Sequence, residues 1–321
     1  MERLNLPTYN DMPPVEGMPH GCAWGLFDKD GVRDEVGTLN HLTPSVVARA
    51  AQEINTGKHV SLNWGLEKIH KPEFGRIATQ HRIIDWLPLA NAHIYDDELT
   101  LNTQSGSQWD GLRHFAHTPT GRYYQGTHHS ELLTTDHLGI DHWHRRGGIV
   151  ARGVLIDYAA WADSKGIEFD AWRCHKISLE TVKRVAREQG TEFREGDLLV
   201  VRSGWIRRYE GAGEEERGEA LRRNEHVGVE GTREVLEWLW DGRFSAVAGD
   251  SIGFECWPGT EPWRLHDNLL SLWGMPIGEM WDLEALSEEC KRQNRWSFFL
   301  TSAPLNTKNG VASPPNAIAI F

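Results

Sequence analysis

Cysteine is scarce in this 321-residue chain, and long apolar runs are absent. The four cysteines, Cys22, Cys174, Cys256 and Cys290, stand apart with no CxxC pair, which argues against a cysteine zinc site or a disulfide framework and leaves buried thiols as the expectation. No run approaches the roughly 18 apolar residues of a membrane span, and the opening MERLNLPTYNDMPP lacks the basic-then-apolar pattern of a secretory signal. Basic residues are also short, 34 against 46 acidic ones for a formal charge of -12, so no extended positive surface awaits a phosphate backbone. These deficits predict a cytoplasmic protein without a nucleic-acid or membrane partner. Internal repeats, low-complexity linkers and charge blocks are missing too, so a single domain over residues 1–321 is expected, with residues 1–40, rich in Pro, Gly and Asp, as an irregular arm. The short run Glu214-Glu215-Glu216 reads as a solvated polar loop.

What the chain has in excess is tryptophan, with 15, and histidine, with 16, of which seven fall between His114 and His144. Tryptophan suits core packing first, then pocket walls and subunit contacts. Thr43-Pro44 caps a helix that Gly57 closes, Ser178 to Gly190 is a capped amphipathic helix, and Val229 to Asp241 and Asp282 to Gln293 have helical spacing. Strands are expected at His59 to Trp64, Glu98 to Asn102, Ile149 to Tyr158, Leu198 to Arg202, Phe244 to Ala248, Trp296 to Thr301 and Ala317 to Phe321. Helices and strands alternate too irregularly for a doubly wound parallel sheet. A mixed α/β fold, a mixed β core with flanking helices, fits better.

The chemistry concentrates in Thr103-Gln104-Ser105-Gly106-Ser107-Gln108-Trp109-Asp110-Gly111-Leu112-Arg113-His114. If the backbone stays extended, Gln104, Gln108 and Asp110 share one face and bring three oxygen donors together. A turn after Asp110 would return His114 over the same spot as a general base. By spacing alone, such a polar segment is more often a loop, and a lone histidine is more often a satisfied structural group. Trp86, Trp109 and Arg113 are candidates for walls and a cation that hold a planar substrate, with ordinary packing an equal alternative.

The segment resembles the HxGTHxDxxxH signature of the kynurenine formamidase-like family, which includes isatin hydrolases and takes its older name from polyketide cyclases. Gln104 occupies the first histidine position, Gly106 the glycine, Ser107 the threonine, Gln108 the second histidine, Asp110 the aspartate and His114 the last histidine. Arg152 to Asp157 resembles the family's RGVLLD strand, Glu195 to Trp205 its PGDVVLIRTGW segment, and Val247 to Ser251 its strand ending in aspartate, here Asp250. Leu265-His266, with Glu279 thirteen residues on, resembles the pair that completes the family's metal site, and Pro304 to Ala319 its closing pattern. The similarity covers roughly residues 35 to 321.

The resemblance implies the family's swivelling β/β/α fold and a homodimer or homotetramer. It also implies one divalent metal ion held by Asp110, His266 and Glu279, with Gln104 and Gln108 as further ligands or partners of bound water, and His114 as the acid and base. Both ligand histidines of the signature are glutamine here. The expected ion is zinc or manganese; an amide oxygen is a weaker, harder donor than imidazole and better suited to manganese, magnesium or calcium, which makes the last two further candidates. The implied activity is hydrolysis of a small-molecule amide, imide, N-formyl compound or lactone. Two alternatives remain: a lactonising or cyclising enzyme with the same site, and a metal-free pseudoenzyme that binds a ligand or partner.

Overall fold

The apolar runs around Leu155, Val200 and Val247 are buried on both sides, and such runs pair most readily as parallel strands covered by helices on each face. They do so in the computed structural model of the chain, which describes residues 4–321. In chain order the strands are β1 (His59–Ser61), β2 (Gln80–Asp85), β3 (Tyr95–Thr100), β4 (Gln108–Asp110), β5 (Ile149–Ile156), β6 (Lys176–Ile177), β7 (Leu198–Val201), β8 (Gly228–Val229), β9 (Ala246–Gly249), β10 (Ile277–Glu279), β11 (Ser297–Ser302), β12 (Ala312–Ser313) and β13 (Ala317–Ile320). Nine of them form one curled sheet in the order β1-β13-β11-β5-β7-β9-β10-β4-β12. β5, β7, β9 and β10 run parallel at its centre, and the flanking pairs are antiparallel. The mixed sheet with flanking helices expected from the alternation of elements is therefore the architecture observed.

The helices follow their caps. Ser178 Oγ accepts from Thr181 N ahead of Leu179–Glu188, which buries Val182, Val185 and Ala186. Thr232 Oγ1 accepts from Val235 N ahead of Arg233–Asp241, which buries Val235, Leu236, Leu239 and Trp240. Each cap satisfies an N–H that the first helical turn leaves without a partner. Glu214–Arg222 is a helix rather than the expected polar loop. Its three leading glutamates fall in the first turn, where they complement the helix dipole.

Buried charge ties the layers together. Glu53 receives Arg152 Nε at 2.8 Å, Arg295 Nη1 at 2.9 Å and Ser297 Oγ at 2.8 Å. Asp250, just past β9, accepts from Ser203 N, Ser203 Oγ and Gly204 N at 2.6 to 2.8 Å and so locks the turn after β7. One expectation is corrected here. Cys174 and Cys256, 82 residues apart, form a disulfide, whereas Cys22 and Cys290 are buried thiols. The pairing joins two distant segments through the fold, which residue spacing does not reveal. Among the described residues no helix is long and apolar enough to cross a membrane.

Candidate functional site

β4 is three residues long, and its alternation sorts its side chains: Gln108 and Asp110 to one face, Trp109 to the other. β10 pairs with it antiparallel, with Glu279 opposite Gln108 and Ile277 opposite Asp110, so Glu279 joins the same face. Gln104 arrives differently from the extended-chain expectation. Residues 103–107 turn, with Gln104 N donating to Asn102 Oδ1 at 2.9 Å and Ser105 N to Asn102 O at 2.9 Å, and this turn carries the amide over Asp110. His266 sits directly before the π-helical segment Asp267–Leu272, a geometry common at functional sites. Asp267 anchors that segment by accepting from Thr118 N and Oγ1 at 2.7 and 2.8 Å.

The four elements bring their polar ends within contact. Gln104 Nε2 donates to Asp110 Oδ1 at 2.6 Å, and Gln108 Nε2 lies 2.8 Å from Gln104 Oε1, 3.1 Å from Asp110 Oδ1 and 2.8 Å from Glu279 Oε2. His266 Nε2 is 3.1 Å from Glu279 Oε1 and 3.6 Å from Asp110 Oδ2. Behind it, fully buried Glu255 accepts from His266 Nδ1 at 2.9 Å, His266 N at 2.9 Å and Leu265 N at 2.8 Å. That contact fixes the ring so that Nε2 faces Asp110 and Glu279.

Three carboxylates, those of Asp110, Glu255 and Glu279, thus surround one imidazole in a buried place. Burial and the Asp110 charge push the Glu279 carboxyl up. Burial also opposes a charged Asp110, but His114 and His266 outweigh it and hold that carboxyl below its usual range. His266 is raised well above its ordinary value because the carboxylates of Asp110, Glu255 and Glu279 around the ring outweigh desolvation. Acceptors still exceed donors. Asp110 Oδ2 and Gln108 Oε1 are buried and accept no hydrogen bond.

A divalent cation fits this arrangement. Ligand atoms of Asp110, His266 and Glu279 lie within 4.8 Å of one another, and donors around an ion at about 2.0–2.2 Å are about 3–4 Å apart. The buried acceptors without donors are the kind of atoms an ion satisfies, and a half-turn of either glutamine amide exchanges its donor for an oxygen ligand. His114 is not in the group of three. It stands at the wall of the adjoining cavity, its ring without a hydrogen-bond partner among the described residues, and burial pushes its pKa down.

That cavity has a volume of about 340 Å³ and opens above Gln104, Gln108, His266 and Glu279. Its walls are chiefly apolar, with Ile69, Phe74, Phe115, Ile252, Trp257 and Met280, and Arg76 and Arg264 supply positive charge. The volume is that of a small-molecule pocket. None of the three substrate contacts named from sequence lies on these walls. Trp109 is fully buried on the far face of β4, donating to Ser302 Oγ at 2.9 Å and packed edge-on against Trp281. Arg113 is consumed by the backbone carbonyls of His137, Leu132 and Thr135 at 2.6 to 2.8 Å. Trp86 sits on the β2–β3 hairpin and donates to Asp96 Oδ2 at 2.7 Å. The sequence reasoning missed Glu255 and the cavity residues Phe115, His226, Trp257 and Arg264. No local spacing marks them; an acidic residue inside the apolar run Phe254-Glu255-Cys256-Trp257 was the one available signal.

Comparison with known proteins bears on the same elements. The model of a family described as "Putative cyclase" matches residues 52–256, well over half of the chain. A crystal structure described as a novel cyclase is similar over 94% of this chain and 99% of its own, with a TM-score of 0.82 and 27% identity. Isatin hydrolase A from Labrenzia aggregata, determined with benzyl benzoate, shares the fold at a TM-score of 0.57 and 16% identity over 88% of this chain and 98% of its own. An isatin hydrolase bound to the product analogue thioisatinate does so at 0.56 and 18%, over 84% and 94%. No curated protein sequence matches the chain.

Proposed function

The chain belongs to that cyclase family, and we propose that it is a metal-dependent hydrolase of a small-molecule amide, imide, N-formyl compound or lactone. The observation that carries this reading is the convergence of Asp110, His266 and Glu279 beside two buried acceptor atoms that lack donors, at the floor of an apolar cavity. In this reading those three residues hold one divalent ion, zinc or manganese, and Gln104 and Gln108 add amide oxygens or hold water beside it. When bound there, the ion supplies Lewis acidity, polarising a carbonyl and acidifying water.

The chain's own groups do the rest. Apolar walls exclude bulk water and press a planar substrate toward the polar floor. His114, kept neutral by burial and drawn toward protonation by the Asp110 charge, accepts a proton from the attacking water and returns it to the leaving nitrogen or oxygen. Glu255 holds the His266 ring in one tautomer. The relatives determined with benzyl benzoate and thioisatinate support a small aromatic molecule as the partner of such a cavity.

One observation favours a second reading, a metal-free binding protein: Gln104 and Gln108 both aim Nε2 at carboxylate oxygen, where a cation would otherwise sit. The deciding experiment is metal analysis of protein purified without chelator, followed by turnover of a panel of lactones, N-formyl arylamines and cyclic imides. Stoichiometric metal with hydrolysis of a panel member is expected. Metal-free protein that also fails to bind added manganese or zinc removes the hydrolase reading.

A further inference from the structure

His226 has no part in the site described so far, although it is buried and lines the same cavity. Its backbone is pinned to Trp257 in both directions, His226 N to Trp257 O at 3.2 Å and Trp257 N to His226 O at 3.1 Å. Its ring is oriented by Nδ1, which donates to the Val227 carbonyl at 3.3 Å, because a carbonyl can only accept. In a neutral imidazole with the proton on Nδ1, Nε2 is an acceptor, and among the described residues the ring's one hydrogen bond is that of Nδ1. Burial pushes the ring down to about 4, so the neutral form prevails at neutral pH. Gly253 keeps the ring edge uncovered, since a Cβ there would lie 2.5 Å from His226 Cε1 and 2.8 Å from Nε2.

We propose that His226 is a specificity-determining residue whose Nε2 accepts a hydrogen bond from an N–H or O–H group of the substrate. The inference rests on the reading of this cavity as the substrate site and narrows it. A carbonyl compound that bears a donor beside its reacting group, such as a lactam or a secondary amide, satisfies the acceptor. A lactone without a hydroxyl leaves it buried and unpaired. A site built around such a bond discriminates against the analogue that lacks the donor, here by roughly 10- to 100-fold for a single neutral bond.

Isoindolin-1-one and phthalide test this directly, because they differ in one ring position, N–H in the lactam and O in the lactone. Calorimetric titration of the full chain should show the lactam bound 10- to 100-fold more tightly by the unsubstituted protein. His226→Phe should reduce the preference to within about two-fold, while His226→Gln, which restores an acceptor near the Nε2 position, should recover part of it. Equal affinities in the unsubstituted protein, binding of neither probe, or a preference that survives His226→Phe overturns the assignment. If His226→Phe does not fold, Gly253→Ala serves: its methyl group crowds the ring edge and should erase the preference, and retention of the preference counts against the assignment. Turnover of N-formylaniline, phthalide and phthalimide with added manganese scores the hydrolase reading separately. A lactam preference without any turnover removes that reading and leaves His226 in place; turnover without the preference does the reverse.

Discussion

Glu255 is the residue whose removal should speak most clearly about the candidate metal centre. Its carboxylate is fully buried and accepts three hydrogen bonds, two of them from His266 and one from the Leu265 amide, all at 2.8 to 2.9 Å. In Glu255→Gln one oxygen becomes an NH2 group. If the remaining oxygen serves both His266 donors, the new amide faces Leu265 N–H, donor against donor; if it is turned, His266 loses both bonds. Either orientation leaves a buried donor unpaired, at about 1–3 kcal/mol. The part that falls on metal binding is the freedom returned to the His266 ring, and partners that orient a ligand histidine are typically worth about 10- to 100-fold in affinity, or roughly 1.4–2.7 kcal/mol. The assay is competition between protein and a chromophoric chelator for manganese, with thermal melting in parallel. A variant that melts lower yet binds manganese as tightly as the parent would refute the reasoning, because Glu255 would then hold only the loop and not the ligand.

Other outcomes follow from the same geometry. His114→Gln should lower kcat by roughly 10² to 10⁴ with metal content unchanged, since glutamine cannot shuttle a proton; loss of metal with activity would make His114 a ligand instead. Asp110→Asn and His266→Ala should lose metal and activity together, and metal retained at parental stoichiometry in either would remove that residue from the ligand set. For pH, His266 is raised above its ordinary 6.5, so its contribution to stability is complete below about that value and is lost as pH rises through the higher folded value. Glu279 is also raised, from 4.5 to about 7, so the fold favours its protonated form and loses that advantage as pH rises between those two values. The metal-free chain should therefore melt progressively lower as pH rises, first through the Glu279 range of 4.5 to about 7 and then above the ordinary 6.5 of His266, and the gain in Tm from saturating manganese should grow over that rise; a pH-independent gain would contradict both assignments. Finally, among the described residues the β2–β3 hairpin pairs only with itself, and it exposes Ile83 at 65%, Leu89 at 69% and Tyr95 at 70%. An apolar arm of this kind calls for a cover, so sedimentation should show at least a dimer that Leu89→Asp weakens; a monomer at micromolar concentration would count against it.

Much of the architecture was legible locally because its causes are local. Caps at Thr43 and Ser178 and the apolar runs of β5, β7 and β9 announce themselves in a few residues, since a helix start needs a side-chain acceptor and a central strand needs apolar faces on both sides, whereas the helix expected from Val229 starts only at Arg233, capped by Thr232. The helix at Glu214–Arg222 escaped notice because its polar composition resembles a loop until the chain on either side positions it. The motif from Gln104 to His114 could be recognised by resemblance, but Trp109, expected on a pocket wall, turns to the opposite face of β4 from Gln108 and Asp110.

Which side chains meet was another matter. Glu279 faces Gln108 because β10 pairs with β4 in one register, and a shift of one residue would turn it away. Gln104 reaches Asp110 through a turn, and Arg113 spends its donors on carbonyls of the single segment 132–137, 19 to 24 residues further along the chain. The Glu255 contact to His266, the Cys174–Cys256 pairing and the opening of His226 onto the cavity join segments whose separation in the chain carries no trace of their distance in space. Residue types and periodicity therefore determined the elements and the chemistry on offer, because backbone preference and burial act over a few residues. Only the tertiary structure decided which donors surround the site, because that depends on strand register and on long-range packing of the whole sheet.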